Sequence, residues 1–365
     1  MDTISFARGV PAPECLPVEL LADCARTVIE RDGPRALSYG PATGYPPLRE
    51  WIAERHGVAP SRVLLTNGSL QGFFFLASQV IGGERARVLV EGPTYDRPLK
   101  ILARLGAEVV TVPMDEEGLD PEALERELEA GPTAFLYTIP TFQNPSGRTL
   151  ATERRRRLIE LAARHDVLVL EDDPYGLVRF EGDPPPTLFD LDDAGRVVHS
   201  SSFSKTIAPG VRVGYFVLPD RLVTELAEQA ESTYITPALL SQAIVFEFLQ
   251  RGELEPNLER VRGLLRARRD AMLAALERAL PPPARWSRPA GGYFLWLDFL
   301  DRIDAAELLA RAAAAGVTFV KGRDFFPHGA GGESAARLAF SFVSPDEIEE
   351  GVARLGALVP ATPRA

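Results

Sequence analysis

Lysine is the scarcest charged residue in this chain: of 40 basic residues only Lys100, Lys205 and Lys321 are lysine. A lysine set among polar neighbours is therefore less interchangeable than a surface charge usually is. Cysteine is equally short. Cys15 and Cys24 are too far apart for a CxxC pair and too few for a disulfide framework, so they read as packing residues in a reducing compartment. The four histidines, His56, His165, His199 and His328, are scattered without HExxH or another ligand pair, which leaves a metal site unsupported. No apolar run approaches the roughly 20 residues of a membrane-spanning helix. The opening MDTISFARGV lacks the basic-then-apolar order of a secretory signal, so a cytoplasmic protein with no membrane partner is expected. A net charge of -11 argues against a nucleic-acid partner. The one basic cluster, Arg154 to Arg157, reads as the solvated face of a helix. Also missing are a GxGxxG after a strand, a GxxxxGK[ST] loop and a GxSxG elbow, which removes dinucleotide, P-loop and α/β-hydrolase readings.

What is present is alternation. From about Tyr45 to Leu218, short apolar runs such as RVLLT (62–66), ARVLVEG (86–92), TAFLYTIP (133–140), DVLVLED (166–172) and RVVHSSS (196–202) are separated by helical patterns. Continuous apolar strands between helices predict an α/β fold, a doubly wound, mostly parallel sheet covered on both faces. Beyond Leu218 the spacing predicts long helices over 220–231, 237–250 and 254–279. Strands and helices then mix from GGYFLWLDF (291–299) to a closing helix from Pro345, as in a smaller α+β domain.

Ligands of open α/β sheets bind at strand ends, and the polar motifs fall there. TNGSLQG runs from a strand into a helix, so Ser69 is expected to cap it and leave amides facing an anion. TFQNPSG offers Asn144, and LEDDPYG places Asp172 with Tyr175 three residues on. SSFSKTIAPGVRVG gathers Lys205, three serines and Arg212 with no carboxylate to receive them. One common cofactor asks for all of this. Pyridoxal 5'-phosphate needs a lysine for its aldehyde, a carboxylate for its ring nitrogen, and hydroxyls, amides and an arginine for its phosphate. Ser202, Ser204 and Arg212 would receive that phosphate, leaving Lys205 for the aldehyde.

The ordered motifs ISFARGVPAPE, YGPATGYPPLRE, TNGSLQG, EGPTY, FQNPSG, EDDPYG, SFSKTIAPGVRVG, GGYFLW and RLAFS resemble the fold type I, class I/II aminotransferases, within them the α-aminoadipate and broad-substrate or aromatic subgroup. The resemblance implies a large cofactor domain over 36–250 and a small domain from 1–35 and 251–365. It implies Lys205 as Schiff-base lysine and proton shuttle, and Asp172 at the pyridinium nitrogen. Asn144 and Tyr175 would meet the phenolic oxygen, Tyr95 would stack on the ring, and Ser69 with the amide of Leu70 would join the phosphate cup. Arg337, with Asn144, would receive the substrate α-carboxylate. It further implies a homodimer in which Tyr39 reaches the neighbour's cofactor phosphate, acting on an L-amino acid and a 2-oxo acid. Asp173 reads as structural, because the Asp-x-x-Tyr spacing selects Asp172.

Leu70 stands where the family often has Gln. Arg8 interrupts a small-residue stretch near the substrate mouth, where it would favour polar or acidic side chains. Two other activities share these parts: another Cα chemistry such as β-elimination, cyclisation or decarboxylation, and an effector-sensing domain of a transcription regulator. The acidic net charge and the lack of an N-terminal extension speak against the regulator.

Overall fold

A computed structural model of the chain describes residues 3–82, 86–300 and 303–359. In chain order its first half holds β1 (Ile4–Ser5), α1 (Val18–Ala36), α2 (Pro46–His56), β2 (Val63–Thr66), α3 (Ser69–Val80), β3 (Arg87–Gly92), α4 (Asp96–Arg104), β4 (Glu108–Asp115), β5 (Gly118–Leu119), α5 (Pro121–Ala130), β6 (Phe135–Thr138) and α6 (Thr152–Arg164). Then follow β7 (Leu168–Asp172), β8 (Val197–Ser202), β9 (Gly214–Val217), α7 (Asp220–Tyr234), α8 (Leu239–Gln250) and α9 (Leu254–Ala279). The C-terminal part holds β10 (Arg285–Trp286), β11 (Phe294–Asp298), α10 (Ala305–Ala314), β12 (Val317–Thr318), β13 (Val320–Lys321), β14 (Ala335–Ala339) and α11 (Pro345–Gly356).

The large sheet runs β2-β9-β8-β7-β6-β3-β4-β5. Strands β8, β7, β6, β3 and β4 are parallel, whereas β2, β9 and β5 pair antiparallel. Their parallel arrangement aligns the C-terminal ends of β6, β7 and β8, each nearly or wholly buried on both faces as the apolar runs predict. A second sheet, β10-β11-β14-β13, is wholly antiparallel and rests on α9 and α11 through a shared apolar core. This is the expected large α/β unit beside a smaller α+β unit.

Two expectations need correction. Helix α1 does not join the small domain: Cys24, Val28 and Ala36 are buried with Leu239, Ala243 and Phe248 of α8 in the large domain's core. Only the first residues, with Ile4, Phe6, Ala12 and Cys15 in the other core, belong to the small unit. The run Arg154 to Arg157 is not one solvated face either. Arg154, Arg156 and Arg157 make partly exposed ion pairs, but Arg155 is wholly buried. Its guanidinium donates to the carbonyls of Leu150, Pro140 and Pro186 and to the Thr141 hydroxyl, and lies 4.0 Å from Glu171. Four consecutive helix residues span a full turn, so one of them must face inward.

Candidate active site

A cavity of about 380 Å³ opens at the C-terminal ends of the parallel strands, between the two units. Lys205 stands in the turn after β8. Its Nζ donates to the Gly9 carbonyl at 2.8 Å and lies 5.1 Å from the Tyr293 ring centre and 5.8 Å from that of Tyr175. Burial, followed by the charges of Arg337 and Arg212, lowers its pKa to about 8. The Tyr293 hydroxyl donates to the Lys205 carbonyl at 3.1 Å and so fixes the turn from the small domain's side.

Asp172 ends β7. The Tyr137 hydroxyl donates to its Oδ2 at 2.9 Å and the Ser200 hydroxyl to its Oδ1 at 3.3 Å. Burial raises its pKa to about 6, with both donors pulling the other way. Neighbouring Asp173 accepts from the Gly176 amide at 2.7 Å, a turn contact in keeping with a structural role.

Opposite them, α3 begins. Ser69 does not cap this helix as expected. Gly68 is the cap residue, at a φ of +92°, and Ser69 is the first helical residue, its side chain free of the capping bond. The reason is space. A Cβ on Gly68 would lie 2.2 Å from Nη2 of Arg212, and one on Gly214 would lie 2.3 Å from the Ser69 amide nitrogen. Two missing side chains thus bring a helix N-terminus, Arg212, Ser202 and Ser204 around one hollow. The two serine hydroxyls are linked at 2.8 Å, and among the described residues Arg212 donates only to the carbonyls of Asn67 and Pro209. Helix-start amides, two hydroxyls and a guanidinium with no carboxylate in ion-pair range among the described residues form an oxyanion cradle.

The far wall is Arg337 on β14. Nη1 donates to Asn144 Oδ1 at 3.1 Å and Nη2 to the Ala7 carbonyl at 2.8 Å, while Nε is buried without a partner. Phe294 and Phe325 lie against the guanidinium, 4.3 and 5.1 Å from it to the ring centres. Burial lowers its pKa to about 10. Tyr95 and Tyr175 complete the lining, and burial raises both phenols, Tyr95 to about 12.

The family model of aminotransferase class I and II matches residues 10–355. The chain belongs to that family. It is 39% identical to the 2-aminoadipate transaminase of Thermus thermophilus over 97% of this chain and 89% of the relative. It is 36% identical to aromatic-amino-acid aminotransferase 1 of Thermococcus litoralis over 98% and 88%. Its fold superposes with a TM-score of 0.93 on the Pyrococcus horikoshii kynurenine aminotransferase solved with PMP, at 35% identity over 98% of this chain and 91% of that one. The protein is a pyridoxal-phosphate-dependent aminotransferase, and its site fits that cofactor: an oxyanion cradle, a buried carboxylate and a lysine of lowered pKa face one cavity.

The aminotransferase brings together Lys205, Ser69, Leu70, Tyr95, Asn144, Asp172, Tyr175, Ser202, Ser204, Arg212 and Arg337 on this lining. Two predicted residues lie elsewhere. Arg8 is exposed with its guanidinium 4.6 Å from the Phe342 ring centre; its neighbours Ala7 and Gly9, not Arg8, line the cavity. Tyr39 is 78% exposed and outside the lining. Sequence reasoning missed Tyr137, Ser200 and Arg97, all on the lining. The sequence marks Tyr137 only as a tyrosine near the end of the apolar run TAFLYTIP; its place beside Asp172 comes from the pairing of β6 with β7.

Proposed function

We propose that this aminotransferase transfers the amino group of an L-amino acid with a long aromatic or acidic side chain to a 2-oxo acid, Arg337 receiving the α-carboxylate and Lys205 carrying the proton. The observation that carries the reading is unbalanced charge: among the described residues, Arg337 is buried with an orphaned Nε and no carboxylate in ion-pair range. Leaving such a group unpaired costs several kcal/mol, on the order of 3–5, which a bound carboxylate offsets. The side-chain class is supported by relatives whose names specify aromatic amino acids and 2-aminoadipate.

When bound, pyridoxal phosphate supplies an electrophilic carbon and an electron-withdrawing ring. Ser69, the Leu70 amide, Ser202, Ser204 and Arg212 would hold its phosphate, Asp172 its ring nitrogen, Asn144 and Tyr175 its phenolic oxygen, and Tyr95 its face. A lysine with a pKa of about 8 has a usable neutral fraction near pH 7, so Lys205 can accept the substrate Cα proton and deliver it to a neighbouring carbon. Arg97, exposed on the cavity rim and 3.6 Å from Asp96, supplies a cation for a side-chain carboxylate, whereas Arg8 stands off the lining beside Phe342.

The reading extends to a cytoplasmic homodimer with Tyr39 reaching the partner's site. Two buried free thiols suit a reducing compartment, and no helix among the described residues is long and apolar enough to cross a membrane.

Amino acids screened against 2-oxoglutarate and pyruvate, with products read by mass spectrometry, test the substrate class. Arg337→Ala should lower kcat/KM for every substrate by about two powers of ten or more. Arg97→Ala should lower it for acidic substrates alone, and Arg8→Ala, off the lining, should change it little. Preference for short neutral amino acids, or an indifferent Arg337, would overturn the reading.

A further inference from the structure

A second cavity, of about 620 Å³, lies between the turn that follows Asn144 and the hairpin β10–β11, and shares no lining residue with the Lys205 site. Its walls are unusually rich in donors. Arg148, Arg179, Arg285 and Arg288 all line it, beside Trp286 and Trp296. Arg288 is neutralised by Glu277 at 2.8 Å. The other three have no carboxylate within ion-pair distance among the described residues. Nε and Nη2 of Arg179 are buried with no partner, its Nη1 reaching only the Glu181 carbonyl at 3.3 Å. The Trp286 indole N–H is likewise buried and unpaired. The Arg148 guanidinium makes no hydrogen bond among the described residues, and burial lowers its pKa.

Native interiors pair such donors, because each orphan costs about 1–3 kcal/mol and more when charged. Here orphans on separate elements line the same space. Arg148 comes from the large domain's turn, Trp286 from the small domain's hairpin, and Arg179 from the stretch between β7 and β8, which bridges to Gly291 and holds Arg179 over the Phe142 ring at 4.5 Å. Glu116 and Asp298 also line the cavity, and Asp298 Oδ1 accepts from the Leu300 amide at 2.8 Å. With Arg288 neutralised by Glu277, three guanidiniums against two carboxylates leave the cavity net cationic.

We propose that this cavity is a second ligand site, for a small polyanion bearing carboxylate or phosphate groups, with Arg148, Arg179 and Arg285 as its cationic receivers and the Trp286 N–H as a neutral donor. Guanidinium forks match both oxyanions, so the shared chemistry defines the ligand.

The holoenzyme reports on this directly, since two of its three tryptophans, Trp286 and Trp296 but not Trp51, line the cavity. Intrinsic fluorescence is titrated with citrate and separately with inorganic phosphate at ionic strength held constant with sodium chloride. A saturable change is expected with at least one of them, and the stronger binder identifies the oxyanion. Arg285→Ala, an exposed position that does not threaten the fold, and Arg148→Ala should each weaken that binding about tenfold or more. Arg337→Lys should leave it unchanged, which separates this cavity from anion binding beside the cofactor. Three results would overturn the proposal. They are no saturable change with either anion, a change that chloride alone reproduces, and a saturable one that Arg337→Lys abolishes while the Arg148→Ala, Arg285→Ala double variant does not.

Discussion

Lys205 illustrates how little is needed to make an ordinary side chain reactive. Its Nζ has no carboxylate partner among the described residues; burial and the charges of Arg337 and Arg212 favour the neutral amine, outweighing the Gly9 carbonyl and the two ring faces that favour the ammonium. Only the neutral form attacks an aldehyde, and it is lost as pH falls through the pKa. In cofactor-free protein, covalent uptake of pyridoxal phosphate should therefore rise with pH around a midpoint near 8, not in the range of about 10.4 of free lysine. Borohydride reduction followed by peptide mass spectrometry should place the cofactor on Lys205, and Lys205→Ala should lose turnover by about 10³-fold or more. Cofactor trapped on Lys100 or Lys321 would count against the assignment. Asp172 shows the opposite tuning. Tyr137 and Ser200 hydrogen-bond its charged form, holding down a pKa that burial raises to about 6. Tyr137→Phe removes one donor, so the carboxyl should protonate at a higher pH. The acid limb of the kcat/KM profile should move upward, with kcat at pH 7 down by about 3–10-fold. A limb that stays in place would show that Tyr137 only fills space.

At the scale of elements, the parallel strands were legible because burial on both faces writes a continuous apolar run, and β3, β7 and β8 fall within a residue or two of the expected bounds. The long helices α8 and α9 were legible for the same kind of reason, a sustained helical spacing ended by Gly252 and by PPP at 281–283. Two-residue strands such as β5 and β10 carry too few residues for any period to show. What sequence could not supply was partnership across elements. Placing α1 required knowing that its buried face meets α8, and finding Tyr137 required knowing that β6 lies beside β7. The cap of α3 is the sharpest case. A serine before a helix is a sound capping signal, but the close approach of Arg212 and β9 admits only glycine at 68 and moves Ser69 one place into the helix. Gly68→Ala should then push Arg212 away and strain a φ of +92°, weakening cofactor binding by about tenfold or more in an absorbance titration while the fold melts nearly as before. Unchanged affinity would mean that Arg212 is not part of the cradle.

For the whole molecule the open question is what covers its exposed apolar groups. Val18 and Ile29 are 65% and 47% exposed and lie eleven residues, about three turns, apart on one side of α1. Leu37, at 65%, and Tyr39, at 78%, follow directly at its C-terminal end. A stripe of this kind on a helix whose other face is already buried calls for a partner, and a second copy related by a two-fold axis would cover both stripes at once. In that dimer each site would combine Lys205 of one chain with Tyr39 of the other. Tyr39→Ala and Lys205→Ala homodimers should each be impaired at both sites. After subunit exchange from an equal mixture, half the dimers are mixed, and each mixed dimer carries one site with an intact Lys205 and an intact Tyr39. Activity should recover to about one quarter of the wild-type value, well above either parent. The exchange itself is followed by native mass spectrometry with one parent tagged. Mixed dimers that form without any recovery would show that each site draws both residues from a single chain, and a monomer by light scattering would leave Tyr39 with no site to reach.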